Sequence, residues 1–139
     1  MSSMIKVSAK FEKLLDINTW IESVAEKLNL PGSTSFAIQL CCEEAFMNVV
    51  MHSYGPHCTE IKDEDQVVLL TIDKEGQDIT LTIRDNGSAF NPLEASEPKH
   101  PNTLSEAKIG GLGISLMKKF SKNIQYESKG LGNLLTFQF

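Results

Sequence analysis

The sequence lacks the features that mark nucleic-acid-binding and membrane proteins. Its 13 Lys and Arg residues are outnumbered by 18 Asp and Glu residues, and no Lys/Arg-rich block occurs in a chain of net charge −5. Because nucleic-acid binding requires a basic face, DNA or RNA binding is disfavoured. No apolar run approaches the roughly 20 residues that cross a bilayer, and the N-terminal segment lacks the apolar centre of a signal peptide. We therefore expect a cytoplasmic protein with no membrane partner.

Cysteine is also scarce. The chain has three cysteines, Cys41, Cys42 and Cys58, and no C-x-x-C pair. His52 and His57 lie near Cys58 in the sequence and raise the possibility of a metal site. Structural zinc, however, needs four ligands at suitable spacing. Reduced thiols in a cytoplasmic protein are the better interpretation, and the sequence leaves their role open.

The length and composition fit one globular domain over residues 1–139, with 41% apolar and 22% charged residues. Hydrophobic periodicity predicts five strands, at residues 4–11, 66–74, 78–85, 123–128 and 134–139. It also predicts three helices: one after an Asp16 N-cap and ending at Pro31-Gly32, one from Ser33 or Ser35 to about Tyr54, and one over 112–120. Strands and helices do not alternate regularly. The expected fold is therefore an α+β two-layer sandwich, with helices on one face of a mixed, mostly antiparallel sheet.

The segment 86–110 differs from the rest of the chain. It contains Pro92, Pro98 and Pro101 and shows almost no periodicity. A connection this long inside a compact domain is commonly a lid or a binding loop. We expect it to cover a site.

The second predicted helix carries a polar column. Glu44, Asn48 and His52 follow one another at four-residue intervals, so they lie one above another on the helix surface. Ala45 and Val49 belong to an apolar stripe beside them. A ligand could lie between this helix edge and the lid, and a solvated helix edge is about equally consistent with the pattern.

A second motif follows the strand at 78–85. Asp85 ends that strand, and Asn86-Gly87 forces a turn. A carboxylate beside a glycine that permits close backbone approach can accept a hydrogen bond from an exocyclic amine such as that of adenine. An ordinary turn has the same sequence signature.

A third motif is a glycine cluster, Gly110, Gly111 and Gly113, at the start of the third helix. Free backbone N–H groups and the positive end of a helix dipole favour an anion there. The cluster matches neither a Walker P-loop nor a Rossmann fingerprint. Tight helix packing is the alternative explanation.

Together, and in this order, the three motifs resemble the GHKL ATPase superfamily. Residues 44–48 with His52 resemble its N-box, residues 85–90 its G1 box and residues 111–114 its G2 box. Sensor histidine kinases usually carry a second glycine where this chain has Ala89. The D-x-G-x-x-F form found here resembles the anti-sigma factor serine-protein kinases and their stand-alone relatives.

The resemblance implies a Bergerat-type ATP-binding fold with ATP and Mg²⁺ as ligands. In that family the residue matching Asn48 ligates Mg²⁺, a hard cation that prefers oxygen donors. Glu44 would then be the catalytic general base, or would orient the attacking hydroxyl group. The role of His52 stays open between the site and the helix end.

The resemblance also implies how the nucleotide would be held. Asp85 would accept the adenine amine, and Gly87 would let the base lie against the backbone. Gly111 and Gly113 would wrap the phosphates. Thr136 on the last strand would contribute its hydroxyl group to adenine binding.

The function implied is that of a protein serine kinase and anti-sigma factor. It would sequester a sigma factor or a similar regulatory protein, and phosphorylate a serine on an antagonist of the STAS fold. A homodimer is possible. The alternative is a non-catalytic module that binds its partner in a nucleotide-dependent way. A domain without a nucleotide would require three coincidental motifs.

Overall fold

A computed structural model describes residues 1–56, 58–94, 112–128 and 132–139. The strands are β1 (Ser2–Ser8), β2 (Val67–Glu75), β3 (Asp78–Asp85), β4 (Asn123–Glu127) and β5 (Asn133–Gln138). The helices are α1 (Leu14–Lys27), α2 (Gly32–Asn48) and α3 (Leu112–Phe120). Short turns of 3₁₀ helix lie at Phe11–Lys13, Asp63–Asp65 and Pro92–Glu94, and α2 continues as a π-helical turn, Val49–Ser53. The predicted order of strands and helices is confirmed.

The five strands form one sheet in the order β1-β2-β3-β5-β4. All four pairings between these strands are antiparallel, so the sheet contains no parallel pair among the described residues and is not mixed there. The β2–β3 hairpin turns at Gly76, whose φ of 63° is one that side-chain-bearing residues rarely adopt. This hairpin fixes Asp85 opposite Val68 at the end of β3.

The helices cover one face of this sheet, as predicted. Helix α1 buries Ile17, Ile21 and Val24 at the spacing of one helical stripe. The core that they share with α2 and the sheet includes Ile38, Phe46, Leu70, Ile72, Leu81, Ile83, Met117 and Phe137, each at most 1% exposed. Burying a side chain of this size stabilises the fold by about 1.5–3 kcal/mol. The α+β two-layer architecture is thereby confirmed.

Two predictions near the N-terminus are wrong. Strand β1 ends at Ser8 rather than at residue 11, and Phe11 is 49% exposed. The 3₁₀ turn that starts at Phe11 leads directly into α1, so Asp16 lies in the first turn of the helix and is not its N-cap. Its carboxylate is still favourably placed near the positive helix end, and Lys13 Nζ lies 3.7 Å from it.

Helix α2 begins at Gly32, immediately after its N-cap Pro31, and not at Ser33 or Ser35. Its continuation to Ser53 agrees with the predicted end near Tyr54. Of the predicted lid, the first part is described and includes the 3₁₀ turn at Pro92–Glu94; residues 95–110 lie outside the described residues. Among the described helices, none combines the length and apolar character needed to cross a bilayer.

Candidate functional site

Asp85 is a buried carboxylate at the end of β3, with only 3% of its surface exposed. Its Oδ1 accepts hydrogen bonds from the backbone N–H of Gly87 at 2.8 Å and from Nδ2 of Asn133 at 2.9 Å. Its Oδ2 is buried and has no hydrogen-bond partner among the described residues. Burial raises the pKa of this carboxyl group, and hydrogen bonds from Asn133, from Gly87 and, as the smallest contribution, from the Ser53 side chain oppose that rise. Because an unpaired buried acceptor is costly, Oδ2 is suited to a donor supplied by a ligand.

Gly87 lies where two backbone segments meet. A Cβ atom at this position would be 2.4 Å from the backbone oxygen of Ser53 and 2.6 Å from its carbonyl carbon. The neighbouring N–H of Ser88 donates to the same Ser53 oxygen at 2.8 Å. Glycine is therefore required for the turn after β3 to pack against the end of the π-helical turn.

The polar column predicted on α2 is present only in part. Glu44 and Asn48 are both half-buried, whereas His52 is exposed. The chain after Asn48 forms a π-helical turn, in which Tyr54 N–H donates to Val49 O at 3.0 Å. This wider turn departs from the register in which residues four apart align.

His52 nevertheless contacts the site indirectly. Its ring stacks on Phe90, with 4.3 Å between the ring centroids and 20° between the ring planes. Phe90 belongs to the first, described part of the predicted lid. His52 therefore packs against Phe90, one of the residues that line the cavity described next.

A cavity lies between α2 and the sheet, and it contains residues from two of the three sequence motifs. Its lining combines apolar side chains with a few polar groups, as small-molecule sites commonly do. The lining residues are Ala45, Asn48, Val49, Ser53, Ile83, Asp85, Phe90, Pro92, Tyr126, Asn133 and Leu135. The structure therefore brings Asn48 and Asp85 to one cavity.

Gly113, from the glycine cluster, lies next to Glu44, from the polar column on α2. A Cβ atom on Gly113 would be 2.6 Å from Glu44 Oε2, so the first turn of α3 lies against this carboxylate. Burial, followed by the nearby charge of Glu43, raises the pKa of Glu44. Gly111, the other predicted phosphate-binding residue, lies outside the described residues.

The structure does not bring Thr136 to Asp85. Along β5, Asn133, Leu135 and Phe137 are buried and face the helices, and Thr136 alternates to the opposite face. There it pairs with Thr82 on β3 and Gln125 on β4. The predicted contact between Thr136 and adenine is thus at odds with the pleat of the strand.

Sequence reasoning missed Asn133, which occupies the place beside Asp85. The two residues are direct cross-strand partners, and Asn133 is 7% exposed. The signal was available: counting back by twos from the apolar residues Phe137 and Leu135 leads to a polar residue on the buried face. Gly132, with a φ of 96°, precedes it, and a Cβ there would be 2.6 Å from the backbone oxygen of Asp85.

Tyr54 was missed as well. Its hydroxyl group accepts a hydrogen bond from the backbone N–H of Asn86 and donates one to the backbone oxygen of Val67, both at 2.8 Å. It therefore ties the turn after Asp85 to the start of β2. No periodicity in the sequence distinguishes this tyrosine from an ordinary helix-end aromatic residue.

The cysteines behave as core residues. Cys41 and Cys42 are free and buried, and Cys58 is half-buried. Burial, with the charge of Glu44 as a smaller cause, raises the pKa of Cys41 to about 12, so the thiol stays protonated at neutral pH. Within residues 1–56, 58–94, 112–128 and 132–139, no group of three or more His, Cys, Asp or Glu residues is placed to hold a metal ion.

Residues 7–139 match the family described as the histidine kinase-like ATPase domain. The chain belongs to this family. A domain of this family implies ATP binding. The predicted superfamily is thereby confirmed.

Individual relatives show which type of protein within the family this chain resembles. The serine/threonine-protein kinase BtrW of Bordetella bronchiseptica is 28% identical over 132 residues, which cover 95% of this chain and 89% of the relative. The anti-sigma F factor of Anoxybacillus flavithermus is 28% identical over 92 residues, which cover 66% of this chain and only 59% of the relative. These similarities confirm the predicted resemblance to the anti-sigma serine kinase type.

A solved structure supports the fold. The RsbU and RsbW domains of Rv1364c from Mycobacterium tuberculosis match 99% of this chain with a TM-score of 0.68 and 11% sequence identity. The matched part is 32% of that longer chain. At this identity the similarity shows that the histidine kinase-like ATPase fold is shared.

Proposed function

We propose that this chain is an ATP-dependent protein serine kinase of the anti-sigma type. The single observation that carries the proposal is the buried Asp85 carboxylate. Within the part of the chain that the structure describes, one of its oxygens has two hydrogen bonds and the other has none. The free oxygen is an acceptor, and the exocyclic amine of adenine is a donor. Binding ATP would therefore satisfy a polar atom that the fold leaves unpaired.

The cavity walls have the chemistry of a purine site, and the cavity, about 20 Å³ as it stands, would have to widen to admit the base. Ile83 and Leu135 come from adjacent strands of the sheet, and Phe90 comes from the turn after β3. Apolar and aromatic surfaces of this kind favour a planar heterocycle, while Asp85 fixes its orientation. Gly87 keeps the neighbouring backbone close to this end of the cavity.

The phosphates would extend toward Glu44 and the first turn of α3. Neither Glu44 nor Asn48 makes a side-chain hydrogen bond within the described residues, so their oxygens can accept a cation. This donor set fits Mg²⁺, which binds through one or two protein oxygens together with substrate phosphates. Asn48 would hold the ion, which would neutralise phosphate charge during transfer.

The proposed reaction moves the γ-phosphoryl group of ATP to a serine. The serine Oγ forms a bond to the γ-phosphorus while the bond from that phosphorus to the β–γ bridging oxygen breaks, and ADP leaves. Glu44 orients the hydroxyl group and takes its proton. The raised pKa of Glu44 makes it a stronger base than an exposed glutamate.

The partner assignments rest on similarity. Relatives described as a serine/threonine-protein kinase and as anti-sigma F factors favour a sigma factor or similar regulatory protein as the sequestered partner. A serine on a STAS-fold antagonist is the proposed phosphoacceptor. Transcription regulation in the cytoplasm by a homodimer completes the proposal, and these remain predictions.

Labelled ATP incubated with Mg²⁺ and candidate STAS proteins from the same genome tests the activity. We expect label on serine with the wild-type chain, and a rate about 10²- to 10⁴-fold lower for Glu44→Gln, because a general base contributes that much. ADP affinity should persist in this variant. The rate should also fall on acidification at a higher pH than an exposed glutamate would give, because the pKa of Glu44 is raised.

Glu43→Gln is the matched control for the loss of one charge from the same helix turn. It should keep most of the rate, and because the charge of Glu43 helps to raise the pKa of Glu44, it should move the acidic limb of the rate to lower pH. Full activity of Glu44→Gln would remove Glu44 as the base. ADP binding without transfer by the wild-type chain to any STAS candidate would favour the alternative function, a nucleotide-dependent binding module without catalysis. A well-folded wild-type chain that binds no adenine nucleotide would overturn the proposal.

A further inference from the structure

Asn133 makes more side-chain hydrogen bonds than any other polar residue described near the cavity. Its Nδ2 donates to Asp85 Oδ1 and to the backbone oxygen of Ser88, both at 2.9 Å, and lies 3.2 Å from Ser53 Oγ. Its Oδ1 accepts from the backbone N–H of Phe90 at 2.9 Å and from the hydroxyl group of Tyr126. One amide thereby joins β3, β4, β5, the π-helical turn and the turn after β3.

These partners allow only one orientation of the amide. Asp85 Oδ1 and the Ser88 carbonyl are acceptors, so Nδ2 must face them, and the Phe90 N–H is a donor, so Oδ1 must face it. A flipped amide would set an oxygen against two acceptors and a nitrogen against a donor. Asn133 is therefore a fixed donor toward Asp85.

This fixed donor determines which oxygen of Asp85 can serve a ligand. Oδ1 already accepts from Asn133 and from Gly87, whereas no described residue donates to Oδ2. The same amide holds the backbone of Phe90, whose ring lines the cavity and stacks on His52. The acceptor and one wall of the cavity thus depend on one side chain.

We propose that Asn133 is a positioning residue that makes the site selective for a purine with a 6-amino group over one with a 6-oxo group. The inference rests on the proposed nucleotide binding and adds a residue to it. By engaging Oδ1, Asn133 keeps Asp85 in the orientation that offers a bare acceptor to the base. A 6-amino group donates to that acceptor, whereas a 6-oxo group faces it with a second acceptor.

Calorimetric binding of ADP and IDP, with Mg²⁺, to the full chain tests this. We expect the wild-type chain to prefer ADP by about ten- to hundredfold, because a hydrogen bond to a charged group separates the two ligands. Asn133→Ala should reduce this preference toward one, mainly by weakening ADP binding. Equal weakening of both nucleotides would show that Asn133 is merely structural and would overturn the inference.

Asn133→Asp gives a second, nearly isosteric readout in case the alanine variant fails to fold. Asp85 and Tyr126 are the other titratable residues that line the cavity. At about pH 8 the new carboxylate repels Asp85, whereas at about pH 5 a proton shared by the two can replace the amide donor. The ADP preference of this variant should therefore recover on acidification, relative to the wild-type chain at the same pH.

Asn123→Asp is the control, because it places the same charge at an exposed position on β4. It should leave the ADP preference unchanged at both pH values. An Asn133→Asp variant whose preference matches the wild type at about pH 8 would contradict the inference. If the folded wild-type chain binds neither nucleotide, the proposed function fails instead, and the two failures are distinguishable.

Discussion

The two ends of the candidate site differ in how completely the protein has built them. At the base end, around Asp85, buried polar groups are joined by hydrogen bonds of 2.8–3.2 Å, and one carboxylate oxygen has no partner in the described part of the chain. At the phosphate end, Glu44 and Asn48 are half-buried, and within the described residues their side chains form no hydrogen bond. One end is preorganised, and the other holds free oxygens.

The difference follows from what each end would bind. A neutral base is recognised by direction, so its acceptor must be fixed before the ligand arrives. Phosphates and a cation bring their own charges and ligands, so the protein need supply only a few oxygens and an N-terminal helix turn. Substitutions that disturb the packing of the base end should therefore weaken folding and binding together, whereas substitutions at the phosphate end should mainly affect transfer.

Gly87→Ala should give the largest effect, because it acts at the preorganised end. The added Cβ would meet the backbone of Ser53 at 2.4 Å, and backbone cannot move as a side-chain tip can. We expect a loss of about 1–3 kcal/mol in the free energy of unfolding, with ADP binding lost in parallel. Denaturant unfolding and calorimetry measure the two quantities.

Gly32→Ala is the control for this experiment. Gly32 starts α2, and a Cβ there would have no atom within 4 Å. Its stability should be unchanged or slightly higher, since alanine is favoured in helices. If Gly87→Ala were as stable as Gly32→Ala, the base end would be more deformable than its contacts indicate, and the contrast between the two ends would fail.

Asp85→Asn should separate two properties of the base end, the affinity for ADP and the stability of the fold. The two donors at Oδ1 would hold the oxygen of the new amide, so its NH₂ group would replace the free Oδ2 acceptor. ADP affinity should fall about ten- to hundredfold, and IDP, which presents a 6-oxo acceptor, should gain. Unchanged ADP binding would remove Asp85 as the adenine acceptor.

The stability of the same variant depends on pH with a definite sign. Burial raises the pKa of Asp85, so the folded chain binds this proton more tightly than the unfolded chain. Wild-type stability therefore decreases as pH rises from the ordinary carboxyl value of 3.8 through the raised folded-state pKa. The Asp85→Asn variant lacks this loss. Its free energy of unfolding should therefore rise relative to that of the wild-type chain over this pH range, and the difference should then level off.

The sequence predicts this site unevenly, and the reasons are physical. Asp85, Gly87 and Asn48 could be found because each belongs to a short local motif. Asn133 carries only the weaker signal of a polar residue on the buried face of β5, because its function comes from a cross-strand pairing with Asp85, 48 residues away in the chain. Thr136 lies on the same strand, but the alternation of side chains along β5 places it on the opposite face.

In the fold, too, some features follow from local sequence patterns and others do not. Element order and the layer of helices follow from periodicity, which sequence reports directly. The end of β1 and the start of α1 do not, because the 3₁₀ turn at Phe11–Lys13 continues into the helix without an N-cap side chain. The π-helical turn after Asn48 is likewise not predicted by a four-residue sequence spacing. Because this turn is wider than an α-helical turn, His52 does not align with Glu44 and Asn48.

Gly113→Ala should give the smallest effect on folding, because it is the matched glycine substitution at the phosphate end. Its Cβ would meet Glu44 Oε2 at 2.6 Å, the far end of a flexible side chain that can move away. We expect unchanged or slightly higher stability, and phosphotransfer slowed about tenfold by displacement of Glu44. In a Glu44→Gln background the same substitution should slow transfer no further, since both changes act through one carboxylate. A Gly113→Ala variant as unstable as Gly87→Ala would instead mean that the phosphate end is as rigidly built as the base end.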